Sequence, residues 1–177
     1  MWTRITGQSA ADLTGALGDH LQSPGAVMFH PYLSGERTPH NDATLRGAFT
    51  GLSTSTTVAD LTRAVLEGVA YALRDCAEAL KATGSRFDQI LAIGGGSRSD
   101  YWLHLLATVL KVRLHRPDGG EFGAALGAAR LAICAATGAA PEAVMTAPDT
   151  CQIFDPVPEL RSAFDDAYER FRTSVPS

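Results

Sequence analysis

The sequence has little cysteine and no long hydrophobic run. Its three cysteines, Cys76, Cys134 and Cys151, are odd in number and far apart, so they predict neither a disulfide framework nor a zinc site. No segment approaches the roughly 20 uninterrupted apolar residues of a membrane-spanning helix, and no signal peptide is recognisable. We therefore expect a cytoplasmic protein that does not associate with a membrane.

Positive charge is also scarce. Fifteen lysines and arginines against nineteen aspartates and glutamates leave a formal net charge of −4, which provides no general attraction for a phosphate backbone. We expect no nucleic-acid partner. By contrast, 45% of the 177 residues are hydrophobic and 17 are glycine, a composition that excludes wholesale disorder and supports one core of ordinary domain size.

Hydrophobic periodicity predicts alternating strands and helices. Apolar runs of strand length occupy 26–29, 47–52, 89–93 and 112–115. Apolar residues recur at helical spacing over 9–21, 58–81, 100–110, 121–137 and a final segment after Pro156. Thr57 and Asp60 have the spacing of a cap at the start of the 58–81 helix. This order predicts an α/β fold, in which helices connect the strands and cover the sheet.

A glycine-rich segment after the 89–93 strand is the most informative motif. Residues 94–99 read Gly-Gly-Gly-Ser-Arg-Ser and precede a predicted helix. Glycines let a ligand approach the main chain, and N–H groups at a helix start favour acceptor atoms, so a nucleotide fits; a simple tight turn fits the glycines equally well. A dinucleotide fingerprint fails because Ser99 replaces its third glycine, and the Gly-Lys-Ser/Thr of a P-loop is absent.

Four ordered motifs resemble the FGGY family of carbohydrate kinases. Residues 47–67, from Gly-Ala-Phe-Thr-Gly-Leu to Asp-Leu-Thr-Arg-Ala-Val-Leu-Glu, are similar to that family's second signature. Residues 94–99 resemble its adenosine motif, and 127–132 resemble the small-residue helix that follows it. The segment 31–42, Pro-Tyr-Leu-Ser-Gly-Glu-Arg-Thr-Pro-His-Asn-Asp, is similar to the xylulokinase branch. The resemblance covers about residues 27–136.

The resemblance implies both a fold and an activity. The fold would be a ribonuclease H-like α/β domain of the actin, hexokinase and Hsp70 type, with a mixed sheet covered by helices and incomplete at its N-terminal strands. Residues 1–22 would form an N-terminal helical segment, and 23–177 the C-terminal, adenosine-binding domain. The complete enzyme would transfer the γ-phosphate of ATP to D-xylulose with Mg²⁺, forming ADP and D-xylulose 5-phosphate.

The resemblance also implies site residues. Gly94, Gly95 and Gly96 would pack against adenine and ribose through their main chain, and Ser99 would offer a hydrogen bond to the base or sugar. The family's Asp-Gly-Thr/Ser phosphate loop, its Gly-Gly-Asp segment with the aspartate general base and its Gly-Thr hairpin have no match here. We expect no catalytic residue in this chain, no activity of the chain alone, and a partner that is a second copy or the N-terminal kinase domain. A truncated, non-catalytic nucleotide-binding or interaction module is the alternative.

Other polar residues have a structural interpretation beside a functional one. His30, Glu36, His40 and Asp42 flank a polar loop and could suggest metal ligands, but turn-rich loops usually use such side chains as local hydrogen-bond partners, and we expect no metal. Glu67 lies between two arginines on the 58–81 helix, which favours a structural ion pair. The Gly- and Ala-rich face of the 121–137 helix favours close packing.

Overall fold

The computed structural model describes residues 1–120, 123–146 and 149–175. Its α-helices are α1 (Trp2–Thr6), α2 (Ala10–Gly15), α3 (Val58–Ala82), α4 (Asp100–Leu110), α5 (Gly123–Thr137), α6 (Pro141–Val144) and α7 (Arg161–Thr173). Its strands are β1 (Met28–His30), β2 (Ala48–Thr50), β3 (Gln89–Leu91), β4 (Arg113–Pro117) and β5 (Thr150–Phe154). Short 3₁₀ helices lie at Gly95–Arg98 and Pro158–Leu160.

The strands form two small sheets. Strands β1 and β2 pair antiparallel, with Phe29 opposite Phe49. In the second sheet the order is β3-β4-β5; β3 and β4 are parallel and β5 runs antiparallel to β4. The predicted mixed sheet is therefore confirmed. Strand β5 is an addition that the hydrophobic pattern did not indicate.

Helix α3 is the longest element and begins where its sequence predicts. The Thr57 hydroxyl accepts a hydrogen bond from the Asp60 N–H, and the Asp60 carboxylate accepts one from the Thr57 N–H, which completes a capping box. Its buried positions include Ala64, Gly68 and Tyr71. One face of α3 therefore packs into the molecule, as its periodicity predicts.

Two hydrophobic clusters hold the helices and the larger sheet together. Aromatic residues of α3 and α7, including Tyr71, Phe164 and Phe171, pack with Leu105 of α4 in the first cluster. The opposite side of α4 contributes Leu103 to a second cluster with Leu114 and Phe154 of the sheet. Helix α4 thus lies between the two clusters, and its first turn is held firmly beside the end of β3.

Several predicted boundaries differ from the observed ones. The predicted 9–21 helix is only α2, because Gly18 takes a positive φ of 84° that a helix does not allow. Helices α1 and α6 were not expected from the pattern. The predicted start of α5 at Glu121 lies outside the described residues.

Among the residues that the structure describes, no helix is both long enough and apolar enough to cross a bilayer.

Candidate functional site

The segment 94–99, named here the glycine turn, joins β3 to α4. Beyond the end of β3, the Ala92 N–H donates to the His115 carbonyl at 2.8 Å. The Gly94 N–H then donates to the Gly120 carbonyl at 2.9 Å. The start of the turn is therefore tied to β4 and to the loop that follows it. At the other end, α4 begins directly at Asp100.

The glycines leave the main chain of the turn open. Gly94 adopts a φ of 87°, a left-handed conformation that favours glycine. A Cβ built on Gly95 would have no atom within 4 Å, whereas one on Gly96 would lie 3.3 Å from Nε1 of Trp102. Gly95 and Gly96 are both exposed. A flat ligand can approach the main chain at Gly95 without displacing any described side chain.

Two serines stabilise the turn from within. Ser97 is buried, and its hydroxyl donates to the Gly94 carbonyl at 2.7 Å. The Ser99 hydroxyl accepts from the Trp102 N–H at 3.3 Å and so caps α4. A serine hydroxyl that accepts one bond still carries a proton that it can donate. The structure therefore brings Gly94, Gly95, Gly96 and Ser99 together on one turn, with Ser99 also serving as a helix cap.

Arg116 is a residue at this turn that the sequence pattern did not single out. It lies on β4, 19 residues away in sequence, yet its Nη1 donates to the Ser97 carbonyl at 3.0 Å. Arg116 lies one residue beyond the predicted 112–115 strand and gave no local signal, because the contact arises only when β4 pairs beside β3.

Glu36, His40 and Asp42 in the polar loop after β1 have local hydrogen-bond partners, as predicted, whereas His30 at the end of β1 contacts residues in and after α7. His30 is buried, stacks on Phe171 at 4.7 Å between ring centroids, and has Nε2 3.2 Å from the Ser174 hydroxyl. The Tyr32 hydroxyl lies 3.1 Å from His40 Nε2. Glu36 and Asp42 accept bonds from Thr38 and Thr44. The four candidate metal ligands thus have separate partners.

Within 1–120, 123–146 and 149–175, no group of three or more His, Cys, Asp or Glu side chains is placed to hold a metal ion.

Glu67 forms part of the predicted ion-pair arrangement. Its Oε1 lies 3.9 Å from Arg63 Nε, and both carboxylate oxygens accept from the Gly25 N–H, at 3.1 and 3.2 Å. Arg74, the second of the two arginines, instead pairs with Asp165 of α7 at 2.7 Å, so the ion pair of Glu67 is formed with Arg63. Arg74 lies nearly two turns further along α3, where its side chain meets α7.

The small-residue face of α5 does not pack as its composition suggests. Helix α5 contains no buried residue, and a Cβ on Gly127 would meet no atom within 4 Å. Of the two glycines in α5, Gly123 is the one beside a neighbouring residue, since a Cβ there would lie 3.1 Å from Ile93. The expectation of close packing along α5 is therefore wrong for the described part of this chain.

The chain matches a known protein family over most of its length. Residues 7–136 match the FGGY family of carbohydrate kinases, C-terminal domain. Among curated proteins, the xylulose kinase of Escherichia coli is 49% identical over 115 residues, which are 65% of this chain and 24% of that protein. The xylulose kinase of Klebsiella pneumoniae is 50% identical over 111 residues, which are 63% of this chain and 23% of that protein. This chain thus spans about a quarter of the length of the relatives it matches.

Solved structures agree with the family match. A xyloylose (xylulose) kinase from Brucella ovis superposes with a TM-score of 0.86 at 49% identity, over 97% of this chain and 36% of that one. A xylulose kinase from Rhodospirillum rubrum superposes with a TM-score of 0.74 at 28% identity, over 97% of this chain and 35% of that one. The predicted ribonuclease H-like α/β fold is confirmed. The chain belongs to the FGGY family of carbohydrate kinases, as a xylulose kinase-like C-terminal domain.

Proposed function

We propose that this chain is the nucleotide-binding part of an ATP-dependent xylulose kinase. The observation that carries the proposal is the glycine turn, whose main chain at Gly95 is open to a ligand. The match to a family of carbohydrate kinases makes a nucleotide the expected ligand. Gly94, Gly95 and Gly96 would contact adenine and ribose, and the Ser99 hydroxyl would donate to the base or sugar. The matched relatives are named xylulose kinases, which supports D-xylulose as the sugar.

The proposed reaction of the complete enzyme is phosphoryl transfer to an alcohol. The 5-hydroxyl oxygen of D-xylulose bonds to the γ-phosphorus of ATP, the bond from that phosphorus to the β,γ-bridging oxygen breaks, and ADP leaves. The hydroxyl proton passes to a general base. When bound with the nucleotide, Mg²⁺ would neutralise phosphate charge. This chain's share would be to hold and orient the nucleoside through the glycine turn.

The proposal includes inactivity of the 177-residue chain alone. An adenosine pocket positions one substrate, but transfer also needs a group that accepts the hydroxyl proton, and none of the family's aspartate motifs is matched here. The test is incubation of the pure chain with ATP, Mg²⁺ and D-xylulose. We expect no D-xylulose 5-phosphate above the uncatalysed background, and its formation would overturn this part of the proposal.

An apolar surface suggests where a partner would bind. Leu73 and Leu80 of α3, with Leu91 and Ile93 at the end of β3, are 43–61% exposed and line a groove of about 460 Å³. Among the described residues β3 pairs only with β4, so one edge of it is unpaired. Exposed strand edges and apolar patches recruit other chains. The partner would be the N-terminal kinase domain or a second copy of this chain, in the cytoplasm.

The same groove favours a second candidate function, a non-catalytic interaction module. Calorimetric titration of the chain with ATP and with ADP separates the two. A saturable heat supports a retained nucleotide site. In the main proposal that site lies in the nucleotide-binding domain, 23–177, and 1–22 is a helical segment before it. The absence of heat at millimolar nucleotide would favour a purely interacting module and contradict the main proposal.

A further inference from the structure

The side chain of Arg116 joins three separate parts of the structure. Its Nη1 donates to the Ser97 carbonyl at 3.0 Å and to Oδ1 of Asp100, the first residue of α4, at 2.7 Å. Its Nη2 donates to Oε1 of Gln152 on β5. The guanidinium also lies over the ring of Phe154, 5.1 Å from the centroid. The planar group thus has fixed partners in the glycine turn, in α4 and in β5.

These contacts fix the orientation of a peptide unit within the glycine turn. In a trans peptide the C=O and the following N–H point in opposite directions. Because Arg116 holds the Ser97 oxygen on its own side, the N–H of the same peptide unit, which belongs to residue 98, must point to the other side. The Arg116–Asp100 ion pair also fixes the first turn of α4 relative to β4, because the side chain of Arg116 is only 21% exposed.

We propose that Arg116 is a positioning residue for nucleotide binding, holding the glycine turn in the conformation that presents its main chain to adenine and ribose. The inference rests on the proposed function of the turn. Arg116 touches the turn from the side of β4, so it acts through the Ser97 carbonyl and Asp100. A guanidinium suits this role since its donors form a rigid fork, whereas a lysine ammonium is a single point.

The same strand provides a matched control. Arg113 lies three residues earlier on β4 and pairs with Asp155 at 2.8 Å, with both side chains more than half exposed. Its partner Asp155 follows β5 and is not part of the glycine turn. Arg113→Met therefore removes a similar charge and a similar ion pair from β4 but leaves the turn's partners in place.

The experiment measures ADP affinity by calorimetry in the wild-type chain and three variants. Loss of charge-assisted bonds should weaken ADP binding about tenfold or more in Arg116→Met and leave Arg113→Met unchanged. Arg116→Lys should bind with intermediate affinity, because an ammonium can keep the Asp100 contact without the fork. Thermal unfolding of all four proteins shows whether a loss of ADP affinity is accompanied by a loss of stability of the fold. Equal affinity of Arg116→Met and wild type would overturn the inference, as would equal losses in both Met variants.

A second measurement needs no nucleotide. The N–H groups of Ser97 and Ser99 bond to Gly94 and Gly96 within the turn, so their hydrogen exchange reports whether the turn is held. We expect faster exchange in Arg116→Met than in Arg113→Met. If wild type binds no ADP, the proposed function fails. In that case the hydrogen-exchange rates still test whether Arg116 holds the turn. Rates in Arg116→Met equal to those of wild type would overturn that role.

Discussion

Glu67 is a carboxyl group placed where water barely reaches it. Its side chain is 4% exposed, and burial raises its pKa from an ordinary value near 4.5 to about 7, against the opposing effects of the Gly25 N–H, Arg63 and Arg170. Tyr71 and Tyr101 also interact electrostatically with the Glu67 carboxyl group. Glu67 anchors residue 25 to α3, and its protonation state therefore affects the stability of the fold.

The pH dependence of stability follows from this raised pKa. The unfolded carboxyl loses its proton above about pH 4.5, but the folded one keeps it until about pH 7. Because the folded state binds more protons in this window, stability decreases as pH rises through it and levels off above. The part of this contribution lost between pH 5 and pH 8 is on the order of 2–3 kcal/mol. Urea unfolding at pH 5 and pH 8 measures it.

Glu67→Gln isolates this contribution. Glutamine keeps an oxygen that can accept from the Gly25 N–H but does not titrate, so the difference in unfolding free energy between variant and wild type should change with pH. His30 acts in the opposite direction, because desolvation, and then His40, lower its pKa, but it contributes equally to both proteins. A difference that stays constant from pH 5 to 8 would contradict the argument.

Gly68 is a second residue whose environment matters for stability, because it leaves no space for a side chain. A Cβ there would lie 2.0 Å from the Phe29 carbonyl oxygen, so α3 packs directly on β1 at this point. Gly68→Ala should destabilise the chain by about 2–3 kcal/mol, since a backbone atom must move. Gly127→Ala on α5 is the control, because its Cβ meets open space and alanine favours helix. Urea midpoints measure both, and an equal loss in the two variants would disprove close packing at Gly68.

At this scale the sequence predicts residues whose role is local. The capping pair Thr57 and Asp60 and the glycines of 94–96 are recognisable from a few neighbouring residues. Arg116 and the Gly25–Glu67 contact are not, because their partners are distant in sequence. Such contacts depend on strand pairing and helix packing, which a local pattern does not contain.

Among the elements, α5 differs from the other long helices. Helices α3, α4 and α7 each bury several side chains, but α5 buries none and exposes Leu126, Leu131 and Ile133. Few buried contacts mean a low free energy of local opening. We expect the amides of α5 to exchange hydrogen much faster than those of α3 in the isolated chain. Equal protection in the two helices would contradict this view of α5.

The sequence predicts elements well where periodicity is long. Helix α3 has seven turns of amphipathic spacing, and its observed bounds, Val58–Ala82, match the predicted 58–81. Strand β5 has no comparable signal, because five residues with one fully buried side chain, Phe154, do not form a pattern. Helix α5 shows the reverse case, since its composition predicts close packing but none of its described side chains is buried.

At the scale of the whole molecule, the groove between α3 and the end of β3 predicts association. Leu73, Leu80, Leu91 and Ile93 are too exposed for a monomer that works alone. Light scattering at rising concentration should show self-association of the pure chain. Leu80→Glu places a charge in the groove and should reduce association, whereas a wild-type chain that stays monomeric at high concentration would contradict the prediction.

The central claim is that the glycine turn binds an adenine nucleotide, and titration of the wild-type and Gly95→Trp chains with ADP tests it most directly. Gly95 and Gly15 are both exposed, and a Cβ at either position meets no atom within 4 Å, so Gly15→Trp on α2 is a matched control away from the turn. The account predicts saturable ADP binding by wild type and Gly15→Trp, and its loss in Gly95→Trp. Binding that survives in Gly95→Trp, or that is absent from wild type, would contradict it.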